Sequence, residues 1–198
     1  MVHSTAPQPR KSVRDQIVQK AEQLLMNGGY HNLSTRKVAQ ACNISVGNLT
    51  YHFPNKALLV KEVMLQVCDR YSKKRITKPL RNNNEPIYNL RKTISWLLDD
   101  AVSSETSALF LELWILAKHH DFGTDIIELF YSTAAIWLNE SLEVLYPNST
   151  FEKRERAAYF LLTISEGTVA LFSRPYKRPV HHDDIINYAA STVVNILE

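Results

Sequence analysis

Apolar residues return every three or four positions along almost the whole 198-residue chain, and no stretch alternates apolar with polar residues as a half-buried strand would. In the first segment Val13, Ile17, Ala21, Leu24 and Leu25 fall on one stripe, and "NGG" at 27–29 supplies a stop signal. A second helix is predicted at about 35–42, with Ser34 as its N-cap, followed by a turn at Asn43, a residue that tolerates left-handed backbone. Ser45 then caps a short third helix, and Pro54-Asn55 ends it and starts a fourth, at about 56–77. Further helices are expected near 86–102, 104–119, 122–146, 151–174 and 183–197. The predicted fold is therefore all-α, with about nine helices and no internal repeat.

The clearest linker is "KPLRNNNEP" at 78–86, with two prolines and three asparagines. The charge changes sign there. Residues 1–78 hold 13 Lys+Arg and 4 Asp+Glu, a net +9, and residues 79–198 hold 10 and 16, a net −6, which together give the formal +3. A basic first part on an acidic remainder suggests that the first part meets a polyanion, nucleic acid above all. A merely solvated basic face is the alternative. The expected organisation is a flexible basic arm over 1–10, a small helical domain over 11–57, the fourth helix as connector, and a larger domain over 78–198.

Other classes find little support. The start "MVHSTAPQPRKS" has no apolar core, so it does not read as a secretory signal. No uninterrupted apolar run approaches the roughly 20 residues of a membrane span. Cys42 and Cys68 make neither a disulfide framework nor a metal spacing, and read as reduced thiols of a cytoplasmic protein. The histidines of "AKHHDF" and "VHHDD" are adjacent, so on a helix they diverge by about 100° and do not converge on a metal. No phosphate-cradling glycine loop, nucleophile elbow or zinc-protease helix is present, and pairs such as Asp99-Asp100 diverge. The expectation is no enzyme, no cofactor and no metal.

The short third helix, in "NISVGNLTYHFPNK" at 43–56, is the informative element. Leu49 and Phe53 lie four apart and can pack on Val38 and Cys42 of the helix before. Asn48, Tyr51, His52 and Asn55 fall at i, i+3, i+4 and i+7 on the opposite face, flanked by Val46 and Thr50. Gly47 removes a side chain, so the backbone there can approach something closely. A helix under three turns has little stability alone and must be held by its neighbours, which leaves its outer face free. Two helices joined by a short turn are the parts of a helix-turn-helix, whose second helix enters the DNA major groove. Asparagine can read adenine, and Tyr and Lys can hold phosphates. Any short surface helix is also polar, so the pattern by itself leaves a plain surface element open.

The residues themselves go further. "LSTRKVAQACNISVGNLTYHFPNKALLVKEV", Leu33 to Val63, closely resembles the DNA-binding segment of the tetracycline-repressor (TetR) family. That pattern, "I-A-x-x-A-G-V-S" then "x-G-x-L-Y-x-H-F-x-x-K-x-x-L", appears as Val38-Ala39, Cys42-Asn43-Ile44-Ser45, Gly47, Leu49, His52-Phe53, Lys56 and Leu59, without gaps. Asn43 replaces the usual turn glycine, and Thr50 stands where tyrosine is commonest, with Tyr51 beside it. The resemblance implies a bacterial homodimeric regulator, usually a repressor, that binds a palindromic operator and is released by a small apolar effector. By position it implies that Thr35 and Arg36 contact phosphate, that Val46, Gly47 and Asn48 face bases with Thr50 beside them, and that Tyr51, His52 and Lys56 clamp the backbone. His52 has a second reading, a local bond that holds the helix in place. Arg10, Lys11 and Arg14 are within reach of phosphate or minor groove. The implied partners are double-stranded DNA, a second copy of the chain and an unknown small molecule, with no membrane. The alternative is a non-enzymatic helical ligand-binding or adaptor protein with a degenerate helix-turn-helix.

In the acidic half, small residues sit among large ones in "RAAYFLLTISEGTVALF", which permits close helix approach. The family forms a four-helix dimer bundle from its last two helices, and the expected interface is Ala158, Leu162, Ser165, Val169, Ile186, Ala189 and Val193. An intrachain core is the other reading of the same stripes. Trp96, Trp114, Tyr131 and Trp137, with Glu112, His119 and Glu166 among them, are candidates for an effector pocket, since apolar walls with a few polar groups suit a small-molecule site. Plain core is the other reading of the aromatics. Glu166, flanked by apolar residues, needs a partner if buried, whether a cationic ligand or a structural contact.

Overall fold

The computed structural model describes residues 12–76, 85–174 and 179–198, with side chains to residue 70 in the first stretch. The arm expected at 1–10 and most of the linker expected at 78–86 lie outside these residues. Among the described residues there are nine helices and no strand, in the order α1 (Val13–Asn32), α2 (Thr35–Ala41), α3 (Val46–His52), α4 (Lys56–Ile76), α5 (Pro86–Ala101), α6 (Ser104–His119), α7 (Asp121–Leu145), α8 (Phe151–Phe172) and α9 (His182–Leu197). The chain is all-α, as its periodicity predicts. It divides into two compact units at Val67 and Cys68, a division that α4 runs through.

Local chemistry sets the helix ends. Ser12 and Asp15 close a reciprocal capping box at the start of α1. The "NGG" stop acts differently from a simple end. The backbone breaks at Gly29, with φ 70°, and then regains a helical turn to Asn32, whose side-chain amide donates to the Gly28 carbonyl at 2.8 Å. Between α2 and α3, Asn43 takes φ 54°, the left-handed conformation expected of it. Its N–H donates to the Gln40 carbonyl and that of Ile44 to the Ala39 carbonyl, at 3.1 and 3.0 Å, the paired bonds of a Schellman stop.

In the N-terminal unit Ile17, Val18, Ala21 and Leu25 of α1, Val38 and Ala39 of α2, Leu49 of α3 and Leu59, Val60 and Val63 of α4 are buried. In the C-terminal unit α5, α7, α8 and α9 share one core, from Leu90 and Ile94 through Leu138 and Leu142 to Leu161 and Val193, and α6 packs on α7.

The seven residues expected at the dimer interface are turned inward, and Ala158, Leu162, Ile186, Ala189 and Val193 belong to that intrachain core. Ala158, Leu162, Ser165, Val169, Ile186, Ala189 and Val193 are all buried within the single chain. An apolar stripe reports that a face is covered, not by which chain, and here α5 and α7 cover it. The faces that α8 and α9 leave exposed carry Tyr159, Thr163, Gly167 and Ala170, and Tyr188, Ser191 and Asn195.

A buried arginine ties the α7–α8 connection. Arg154 donates from Nε to Asn139 Oδ1 at 3.2 Å, from another nitrogen to Glu143 Oε1 at 2.9 Å, and also to the Ser149 carbonyl. Asn139 in turn donates to the Phe151 carbonyl at 3.3 Å. Glu143 is 59% exposed, so loss of the arginine leaves it hydrated, and the penalty falls on Asn139 and the carbonyl. Arg154→Met is therefore expected to cost about 2–3 kcal/mol, below the usual cost of orphaning a buried charge. Urea unfolding followed by tryptophan fluorescence measures this, and a cost under about 1 kcal/mol would show that the connection holds without the network.

Candidate nucleic-acid interface

The site is built on α3, which is only seven residues long. Nucleation disfavours so short a helix, but burying Leu49 and Phe53, at 0% and 3% exposure, contributes roughly 1.5–3 kcal/mol each, so tertiary contact decides that it forms. Ser45 Oγ accepts from the Asn48 N–H at 3.1 Å and fixes its start. At its end the Phe53 N–H donates to the Leu49 carbonyl, and Asn55 Oδ1 accepts from the Leu58 N–H at 2.9 Å, which begins α4. Asn55 thus serves as a cap.

The outer face is open. Val46, Gly47, Asn48 and Tyr51 are exposed, Tyr51 to 85%. Thr50 is half-buried, and its hydroxyl donates to the Gly47 carbonyl at 3.0 Å. His52 is half-buried with its ring edge-on to Tyr51, centroids 5.3 Å apart, so its contact among the described residues is with that ring and not a local hydrogen bond. At the start of α2, Thr35 is half-buried and Arg36 exposed. Gly47 has no need of its missing side chain inside the chain, since an added Cβ would meet only Ser45 Oγ, at 3.9 Å.

Two basic residues are placed otherwise than expected. Arg14 pairs with Glu62 through two bonds of 3.1 and 2.8 Å and lies over the Phe53 ring, so it braces α1 against α4 and does not point outward. Lys56 Nζ donates to the Tyr30 carbonyl at 2.5 Å and sits 3.7 Å from the Tyr30 ring centroid, and burial lowers its pKa. Tyr30 follows the break at Gly29, and this contact joins the end of α1 to the start of α4. No motif announces the pairing, because the two residues are 26 positions apart.

The Arg14–Glu62 pair carries a pH signature. The hydrogen bond from Arg14 holds the Glu62 carboxyl below its ordinary pKa. A depressed folded-state pKa means stability that is present above the unfolded value, about 4.3, and lost as pH falls through the folded value. Arg14 is 45% exposed, so screening by solvent limits the pair to about 0.5 kcal/mol. Glu62→Gln is expected to raise amide exchange of α1 slightly at pH 7 and to match the parent chain near pH 3. A difference that persists at pH 3 would assign the effect to packing.

In the C-terminal unit the candidate pocket residues fall into separate groups. Trp114 Nε1 donates to the Tyr131 hydroxyl at 3.2 Å, and that hydroxyl also bonds Glu166, so α6, α7 and α8 meet at one polar cluster. Burial raises the Tyr131 pKa, with Glu166 adding to the rise. Phe130 and Phe110 extend the cluster edge to face, with centroids 5.2 Å apart. Trp96 and Trp137 form a second pair at 5.8 Å, with Trp137 buried in the core and Trp96 packed against it. Glu112 is half-buried and His119 is exposed near the end of α6. Among the described residues no group of three or more His, Cys, Asp or Glu is placed to hold a metal, and no helix is long and apolar enough to cross a membrane.

Residues 17–63 match the profile described as bacterial regulatory proteins, tetR family. An uncharacterised HTH-type transcriptional regulator encoded in the dhlA 5′ region of Xanthobacter autotrophicus is 26% identical over 137 residues, which span 66% of each chain. Among solved structures, Salmonella enterica GusR superposes over 98% of this chain and 97% of its own, with a TM-score of 0.67 and 19% identity. The multidrug binding protein EbrR, in complex with proflavin, covers 93% of this chain and 99% of its own, with a TM-score of 0.66 and 17% identity.

Proposed function

We propose that this chain, whose residues 17–63 match the tetR family of bacterial regulatory proteins, is a transcriptional regulator of that family and acts as a ligand-responsive repressor, binding a palindromic operator as a homodimer. The observation that carries the proposal is the outer face of α3. It is exposed, free of formal charge and held rigidly from behind by Leu49 and Phe53. Two such helices, one per protomer, lie in successive major grooves about 34–36 Å apart. Val46, Gly47 and Asn48 meet base edges, with Thr50 beside them. Tyr51 and His52, with Thr35 and Arg36 on α2, meet phosphates. Lys56 keeps two ammonium donors beyond the one given to Tyr30 and adds to the backbone contacts.

Dimerisation uses the exposed faces of α8 and α9. A glycine in a helix interior costs about 1 kcal/mol relative to alanine. Gly167 is exposed, and an added Cβ would meet nothing within 4 Å, so the chain's own packing does not require it. A second copy, seated closely on Gly167 and Ala170, does. Gly167→Ala is expected to raise helicity while weakening self-association about tenfold or more, as measured by sedimentation against concentration. Unchanged association would place the interface elsewhere. In the C-terminal unit the Trp114, Tyr131 and Glu166 cluster receives a small apolar effector, whose binding changes the separation of the two α3 helices and releases DNA. That EbrR holds proflavin supports a small-molecule site in this fold.

Selection from random duplexes tests the whole reading. Enrichment of a palindrome with half-sites one helical turn apart, bound as a dimer with affinity that falls steeply with salt, is the expected result. Binding that stays sequence-independent at a Kd of about 10⁻⁴–10⁻⁶ M would overturn it.

A further inference from the structure

The face of α3 is restricted in what it can read. Val46–His52 contains no Arg, Lys, Asp or Glu. The commonest specific contact in the major groove, a cation bidentate on guanine O6 and N7, is therefore not available from this helix. The nearest lysine on the following helix, Lys56, is turned to Tyr30. The Thr50 hydroxyl proton is spent on the Gly47 carbonyl. His52 is packed against Tyr51. Two exposed side chains remain at the start of the face, an aliphatic one at Val46, 41% exposed, and the amide of Asn48, whose backbone N–H is already satisfied by Ser45. A primary amide matches adenine N6 and N7, and an aliphatic group matches the thymine methyl. On the helix these two side chains project about 100° to either side of Gly47, roughly 160° apart, so with Gly47 toward the groove floor they reach sideways to base pairs on either side of the one that Gly47 faces.

Resting on the proposed DNA-binding function, we propose that each operator half-site is read as two A·T pairs, a thymine methyl against Val46 and an adenine against Asn48, flanking the position that Gly47 faces. Specificity then rests on two neutral contacts, and the cations of the interface set affinity without choosing sequence.

The test uses the full chain and the duplex recovered by selection from random DNA. A·T pairs two positions apart are expected in each half-site. Replacing the thymine by deoxyuridine removes one methyl and should weaken binding by the parent chain about fourfold. The same duplex should bind Val46→Ala as well as the unmodified duplex does. Replacing the adenine by 7-deazaadenine removes N7 alone and should weaken the parent about tenfold, with no further effect on Asn48→Ala. Both side chains are exposed, so retained thermal stability and an unchanged helical circular-dichroism spectrum check that the variants fold. G·C pairs at both positions, or losses on the modified duplexes that persist undiminished in the variants, would overturn the inference while leaving sequence-specific binding intact. Failure to enrich any sequence would remove the DNA-binding reading, and this inference with it.

Discussion

Gly123→Ala is expected to destabilise the C-terminal unit by about 3 kcal/mol or more, at the upper end of what overpacking costs. Gly123 is buried in the first turn of α7, and a Cβ there would lie 2.4 Å from the Leu116 carbonyl carbon, 2.5 Å from the Ala117 nitrogen and 2.6 Å from the Leu116 oxygen. All three atoms belong to the backbone of α6, so no side chain can rotate away. The turn is also pinned. One residue, His120, separates the two helices, its N–H donates to the Leu116 carbonyl at 2.8 Å, and Thr124 Oγ1 donates to the Ala117 carbonyl at 3.2 Å. Relief requires α6 and α7 to separate, which strains the Trp114–Tyr131 bond between them. All three tryptophans, Trp96, Trp114 and Trp137, lie beyond Cys68, so their fluorescence reports this unit. Unfolding by urea should show a lower midpoint, and thermal unfolding a fall of roughly 6–12 °C. A loss under 1 kcal/mol would mean that the helices part easily and that this contact does not position the effector cluster.

Gly123 also shows where sequence reasoning stops. The helices on either side of it were legible from apolar spacing, caps and prolines, to within one or two residues at most ends, because those signals are local. The approach of one backbone to another is not local, and "HDFGTD" looks like any polar helix start. The dimer residues illustrate the same limit. Ala158, Ser165 and Ala189 are small and periodic, as an interface requires, but core packing between α5, α8 and α9 requires the same thing. Lys56 was legible as part of a motif, whereas its contact with the Tyr30 ring was not, since it depends on the break at Gly29. The face of α3 was readable because a helix this short has one side to bury, and Leu49 and Phe53 mark it unambiguously. Trp114, Tyr131 and Glu166 were named as candidates, yet only the packing of α6, α7 and α8 separates them from Trp96 and Trp137.

Gly47→Ala is expected to act on fold and function in opposite directions. Within the chain it replaces a poor helix former by the best one, in a place where the new methyl meets only Ser45 Oγ at 3.9 Å. The helix should gain about 0.5–1 kcal/mol. Against an operator, the same methyl stands between Val46 and Asn48 on the face proposed to lie on base edges, where an overpacked contact costs about 1–3 kcal/mol, a loss of roughly 5- to 150-fold in affinity. No charge changes, so the dependence of binding on salt should keep its slope, which separates a steric fault from a lost phosphate contact. Thermal unfolding and operator titrations at two salt concentrations measure both halves. Tighter folding with unimpaired operator binding would show that this glycine is not where the backbone approaches DNA. The α3 helix would then have to enter the groove by a different edge, with Tyr51 and not Asn48 at its centre.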